Sequence, residues 1–123
     1  MKYLRPILAI SACSFLTSMA LDAFAHPRLV SATPAVSGAV RTPPSTVTLR
    51  FNERLEASFS SVVIRDSEGK QVDKGDAQLD KSDRRILRVS LPPLQAGVYK
   101  VEWQVVGSDA HKIGGDFTFR VEQ

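Results

Sequence analysis

The six residues TVTLRF, 46 to 51, alternate without a break. In an extended strand Val47, Leu49 and Phe51 would share one face, and Thr46, Thr48 and Arg50 the other. The same period of two recurs in VYKVEWQV, where Tyr99, Val101, Trp103 and Val105 alternate with Lys100, Glu102 and Gln104. It recurs again in DFTFRVE, with Phe117, Phe119 and Val121 on one side. RILRVSL and FSSVVIRD predict two further strands, and RLVSAT a short first one. Turn signals separate these runs: Pro34, Gly38, Pro43-Pro44, DSEGK at 66–70, Pro92-Pro93, Gly97 and Gly114-Gly115. No stretch keeps a helical period over three turns, and ERLEASF is expected to make one turn at most. Residues 66–85, the most polar segment, are expected to form exposed hairpin and edge structure. Roughly seven short strands in about a hundred residues predict an all-β fold, a two-sheet Greek-key sandwich or barrel of Ig-like type.

The first 25 residues break this pattern. Lys2 and Arg5 form a basic start, ILAISACSFLTSMAL an apolar middle, and Ala23-Phe24-Ala25 a small-residue cleavage signal. Residues 1–25 are therefore expected to be a secretory signal and residues 26–123 the mature domain. Ser and Thr interrupt the apolar run and Asp22 follows it, which argues against a permanent transmembrane span. An alternative is lipoprotein-type processing at ISAC, with Cys13 as the new terminus, but its apolar region of Pro6 to Ala12 is short. A cut after Ala25 leaves 98 of the 123 residues, enough for one domain with one core. It removes Lys2, Arg5 and Asp22, so the formal charge falls from +3 to +2. Basic and acidic residues are interspersed in what remains, with no stripe for nucleic acid. Cys13, Met1 and Met19 are all the sulfur in the chain, so the mature domain would have no disulfide and no sulfur ligand.

Two histidines remain, and both invite chemistry. His26 would be the new first residue, offering its α-amine and its ring Nδ1 as a chelating pair. An α-amine and an imidazole ordinarily titrate near neutrality, so a strongly bound metal can displace their protons. Pro27 has no amide proton for the metal to displace, which blocks the usual peptide-type chelation at its first step. Asp109 and His111 stand two apart in SDAHKIGGDFTF and, on an extended backbone, would point the same way. Nitrogen-rich N/O coordination suits Cu(II), while the absence of soft sulfur argues against Cu(I). Zn(II) also accepts histidine and carboxylate. Glu53, in RFNERL, reads as a solvated charge beside Arg54 or as an acceptor that orients a histidine.

HPRLVSATPA, VTLRFNE and LQAGVYKVEWQVVGSDAHKIGGDFTFRV together closely resemble the CopC family of periplasmic copper-resistance proteins. The resemblance covers nearly all of the mature chain. It implies a seven-stranded Greek-key β fold, a periplasmic location and one Cu(II) held by an N-terminal histidine brace. Carried over, His26 would bind through amine and ring, His111 through its ring and Asp109 through its carboxylate. Glu53 matches the acidic residue of the family's F-S-E segment, here Phe51-Asn52-Glu53, and is expected behind the ligands. Some members carry a methionine-rich loop for Cu(I); its absence here implies the Cu(II)-only type. A membrane copper importer of the CopD type is the partner the family suggests. Two other readings remain: a histidine-brace copper monooxygenase, and a metal-free Ig-like interaction module. The first would need a broad substrate face, for which 98 residues leave little room.

Overall fold

The computed structural model describes Tyr3 and residues 26–123. Apart from Tyr3, the expected signal and the Cys13 alternative lie outside the described residues. The elements are β1 (Leu29–Thr33), β2 (Ala39–Val40), β3 (Thr46–Phe51), a 3-10 turn (Ala57–Phe59), β4 (Ser61–Arg65), β5 (Gln78–Leu79), β6 (Ile86–Ser90), β7 (Gly97–Val106) and β8 (Lys112–Val121). They form two four-stranded sheets, β1-β3-β6-β5 and β2-β8-β7-β4. All the pairings are antiparallel except that of β2 with β8.

The period-two pattern decides which side chains meet between the sheets. Val47, Leu49 and Phe51 of β3 are buried, as are Leu87 and Val89 of β6. From the facing sheet come Val62 and Ile64 of β4, Tyr99, Val101 and Val105 of β7, and Phe117, Phe119 and Val121 of β8. Tyr99 stacks on its register partner Phe119, with ring centroids 5.6 Å apart. Its hydroxyl donates to the Gln95 carbonyl at 2.6 Å, tying the strand to the turn that precedes it. Phe51 meets Trp103 edge-on across the sandwich, at 5.2 Å.

Eight strands replace the expected seven. The two short strands, β2 and β5, carry no periodic signal, because two residues cannot show a period. Residues 66–85 are the exposed, turn-rich stretch foreseen, with β5 at the edge of its sheet. Asp80 orders the turn after β5: it accepts from the Ser82 amide and hydroxyl and the Asp83 amide, and pairs with Arg88. Gly114-Gly115, expected as a turn, lies inside β8 opposite Gln104 and Trp103. A Cβ on Gly115 would sit 2.5 Å from the Trp103 ring, so this glycine makes room for the indole instead of turning the chain.

Strand pairing gathers the functional segments at one end of the sandwich. The start of β1 lies beside the end of β3, with Leu29 opposite Phe51. The starts of β4 and β6 and the β7–β8 connection sit at the same end. Glu56 donates its amide to Val106 O at 2.8 Å, and Leu55 bridges to Gly107. Residues 26–28 therefore run beside the β7–β8 turn.

Candidate metal centre

His26 precedes β1 and is held in place through its neighbours. Pro27 is buried, and Arg28 is locked to Asn52 at the end of β3. The Arg28 amide donates to Asn52 Oδ1 at 2.7 Å, and the Asn52 amide to Arg28 O at 3.0 Å. Between Leu29 and Ser31 the register slips by a β-bulge, which redirects the strand just beyond the histidine.

Asp109 and His111 sit in the turn between β7 and β8, and the turn brings them together differently from the sequence expectation. Residues 108–110 are not extended. The Ala110 amide donates to Gly107 O at 3.1 Å, and Ala110 has φ = 63°, a left-handed conformation uncommon for alanine. Asp109 Oδ1 accepts from the His111 amide at 3.2 Å, closing an Asx turn. The shared direction of the two side chains comes from this closed turn and not from the alternation of a strand. Strained backbone of this kind costs of order 1–3 kcal/mol and collects at functional sites.

The three side chains converge. Asp109 Oδ2 lies 3.3 Å from His26 Nδ1 and 3.2 Å from His111 Nδ1. The imidazole centroids are 5.5 Å apart, and one donor atom from each residue falls within 4.8 Å of the others. Nitrogen and oxygen ligands bind a divalent metal at about 2.0–2.2 Å, which places ligands of one ion roughly 3–4 Å from each other. The donor set fits one ion after small adjustments. Asp109 is the most sheltered member, with 16 % of its side chain exposed against 54 % for His26 and 60 % for His111. The His111 amide, with help from the two imidazoles, holds the Asp109 carboxyl below the usual carboxylate range. The carboxylate is thus ionised at neutral pH, and its stabilising contacts are lost only as pH falls below that range.

Glu53 lies behind this cluster and outside it. Its Oε1 is buried with no hydrogen-bond donor among the described residues, an expensive state for a carboxylate oxygen. It packs against Gly107: a Cβ there would collide with Glu53 Oε1 and come within 2.7 Å of Pro27 Cγ. Glu53, Pro27 and Gly107 form one close-packed knot that connects the chain before β1 to the turn carrying Asp109. The burial of Oε1 disfavours the solvated alternative for Glu53, although the residue as a whole is half-buried. No pattern in the chain signals it, since the packing partner is a glycine 54 residues away.

Comparison with known proteins agrees with the fold. The CopC domain model matches residues 29–122. Copper resistance protein C of Pseudomonas syringae pv. tomato is 36 % identical over 104 residues, covering 80 % of this chain and 82 % of the relative. Protein YobA of Escherichia coli K12 is 34 % identical over 122 residues, covering 98 % and 96 %. The chain spans only 20 % of the length of another relative, the copper transport protein CutJ of Bacillus subtilis, at 30 % identity over 108 residues. Among solved structures, CopC from Methylosinus trichosporium OB3b superposes with a TM-score of 0.74 at 37 % identity, over 79 % of this chain and 94 % of that one. PcoC, described as a methionine-rich copper resistance protein from Escherichia coli, gives 0.68 at 32 % identity, over 80 % and 100 %. The chain belongs to the CopC family.

Proposed function

We propose that this protein is exported, cut after Ala25, and carries a single Cu(II) ion in the periplasm on His26, Asp109 and His111. The observation that carries the reading is the convergence of those three donors. They come from segments more than eighty residues apart, onto a spot open enough for an ion to enter and leave. Membership of a family whose relatives are named for copper resistance and copper transport supplies the metal.

Three further features favour Cu(II) held by a brace. Cleavage turns the His26 nitrogen from a peptide amide into an amine, adding a fourth donor and a second nitrogen on the same residue. The orphaned Glu53 Oε1, packed beside Pro27, is a suitable acceptor for one of that amine's two remaining protons. Both methionines and the single cysteine precede residue 26, so the domain has no sulfur for Cu(I), in contrast to the methionine-rich PcoC. The protein carries out no reaction in this reading: it holds the ion and passes it on, with a membrane importer of the CopD type as receiver. No helix among the described residues is long and apolar enough to cross a membrane.

A native mass spectrum of protein recovered from the periplasm, before and after one equivalent of Cu(II), tests the whole reading. The expected species is residues 26–123 plus one copper that survives a weak chelator. A different terminus, or several loosely held ions, would refute it. The knot behind the site gives a second test. Gly107→Ala forces Glu53 or Pro27 aside without touching a ligand, and is expected to weaken Cu(II) by about 10–100-fold in a chelator competition. Unchanged affinity would mean that Glu53 and Pro27 do not position His26.

A further inference from the structure

On the side of the Asp109 turn that carries Ser108, a groove of about 620 Å³ lined by polar and charged residues opens between the end of β3 and the turn before β6. Arg54, Arg84 and Arg85 line it together with Asn52, Ser82 and Ser108, and two carboxylates, Asp83 and Glu53, complete the lining. Most arginines elsewhere have partners: Arg65 pairs with Glu102, Arg88 with Asp80 and Arg120 with Glu122. In the groove Asp83 is paired with Arg85 at 3.0 Å and, from beside the groove, with Arg50 at 3.4 Å, so the three lining arginines outnumber the two lining carboxylates, Asp83 and Glu53. Arg54 and Arg84 enter no ion pair and no side-chain hydrogen bond among the described residues, and both are exposed. The other acidic lining residue, Glu53, has turned its Oε1 into the protein. The groove is therefore cationic overall, and it sits one residue from Asp109.

We propose that this groove binds a small polycarboxylate anion and that, loaded with metal, such an anion is the form from which the adjacent site takes its ion. Planar guanidinium groups recognise carboxylates by paired hydrogen bonds, and the volume is that of a small-molecule site. An anionic chelate would otherwise meet the negative charge of Asp109. Arg54 and Arg84 offset that repulsion and hold the free carboxylates while the metal changes ligands. The loading role rests on the copper reading; binding of the anion does not.

The test begins with citrate titrated into the metal-free protein at low salt, read by amide chemical shifts. Shifts grouped at residues 52–54, 82–85 and 108, weakened at least tenfold in Arg54→Ser/Arg84→Ser, are expected. Shifts spread over all the lysines and arginines, or full binding by the double variant, would overturn the groove. Stopped-flow loading then compares the anionic Cu(II) nitrilotriacetate complex with the neutral bis-glycinate complex. The double variant is expected to load about tenfold more slowly from the first alone, the difference vanishing at high salt. Equal slowing from both would overturn the loading role. Grouped citrate shifts in a parent protein that takes up no copper would refute the copper reading and leave the groove standing.

Discussion

Acetylation of the His26 amine is expected to lower Cu(II) affinity by orders of magnitude while leaving the melting temperature of the metal-free protein unchanged. The addition keeps every side chain of the cluster. Under the proposed function it removes the free amine that would act with ring Nδ1 as one chelate, since the His26 nitrogen becomes an amide. The acetyl group brings no amine of its own, and Pro27 has no amide proton to give up in place of the lost donor. The loss should exceed the roughly 10–100-fold that follows when a group merely supporting a ligand is disturbed. Competition against a chelator of known strength measures it, and electron paramagnetic resonance should show one nitrogen fewer on the copper. An acetylated protein that binds Cu(II) as tightly as the parent would rule out the amine as a ligand.

The strands were legible because they are half-buried. TVTLRF, VYKVEWQV and DFTFRVE each put most of their apolar residues on the face that the structure buries, and each of the six longer strands overlaps a segment expected as a strand, although β8 begins four residues before DFTFRVE. What escaped was set by neighbours distant in the chain. Gly114-Gly115 looks like a turn until Trp103 is placed across from it, where a side chain on Gly115 would strike the indole. The two-residue strands exist only because longer strands offer an edge to pair with. In the site, His26, Asp109 and His111 were named from residue type and the family pattern, whereas the reason the last two point together was misjudged. An Asx turn and a left-handed Ala110 do the work assigned to an extended backbone. Glu53 was hardest to place, since its burial depends on Gly107 leaving room for a carboxylate.

Replacing His111 with alanine should be nearly as damaging as blocking the amine, and comparing it with Asp109→Asn separates ligand loss from charge loss. His111 is exposed and outside the core, so its removal leaves the sandwich intact; it takes away the ring nitrogen that faces His26 across Asp109. With one imidazole gone, the chelate at His26 and a carboxylate must hold the ion alone, and affinity for Cu(II) is expected to fall by orders of magnitude. Asp109→Asn is the milder change. Its Oδ1 can still accept from the His111 amide, so the turn and the direction of both imidazoles persist. The charge opposite the metal is lost, and an amide oxygen is a poorer ligand than a carboxylate. An intermediate loss, about 10–100-fold, is expected on the scale of disturbed metal sites. If Asp109→Asn instead matched the His111→Ala loss, the carboxylate would be as essential a ligand as the imidazole. If His111→Ala bound Cu(II) like the parent, the ion would not sit between the two histidines.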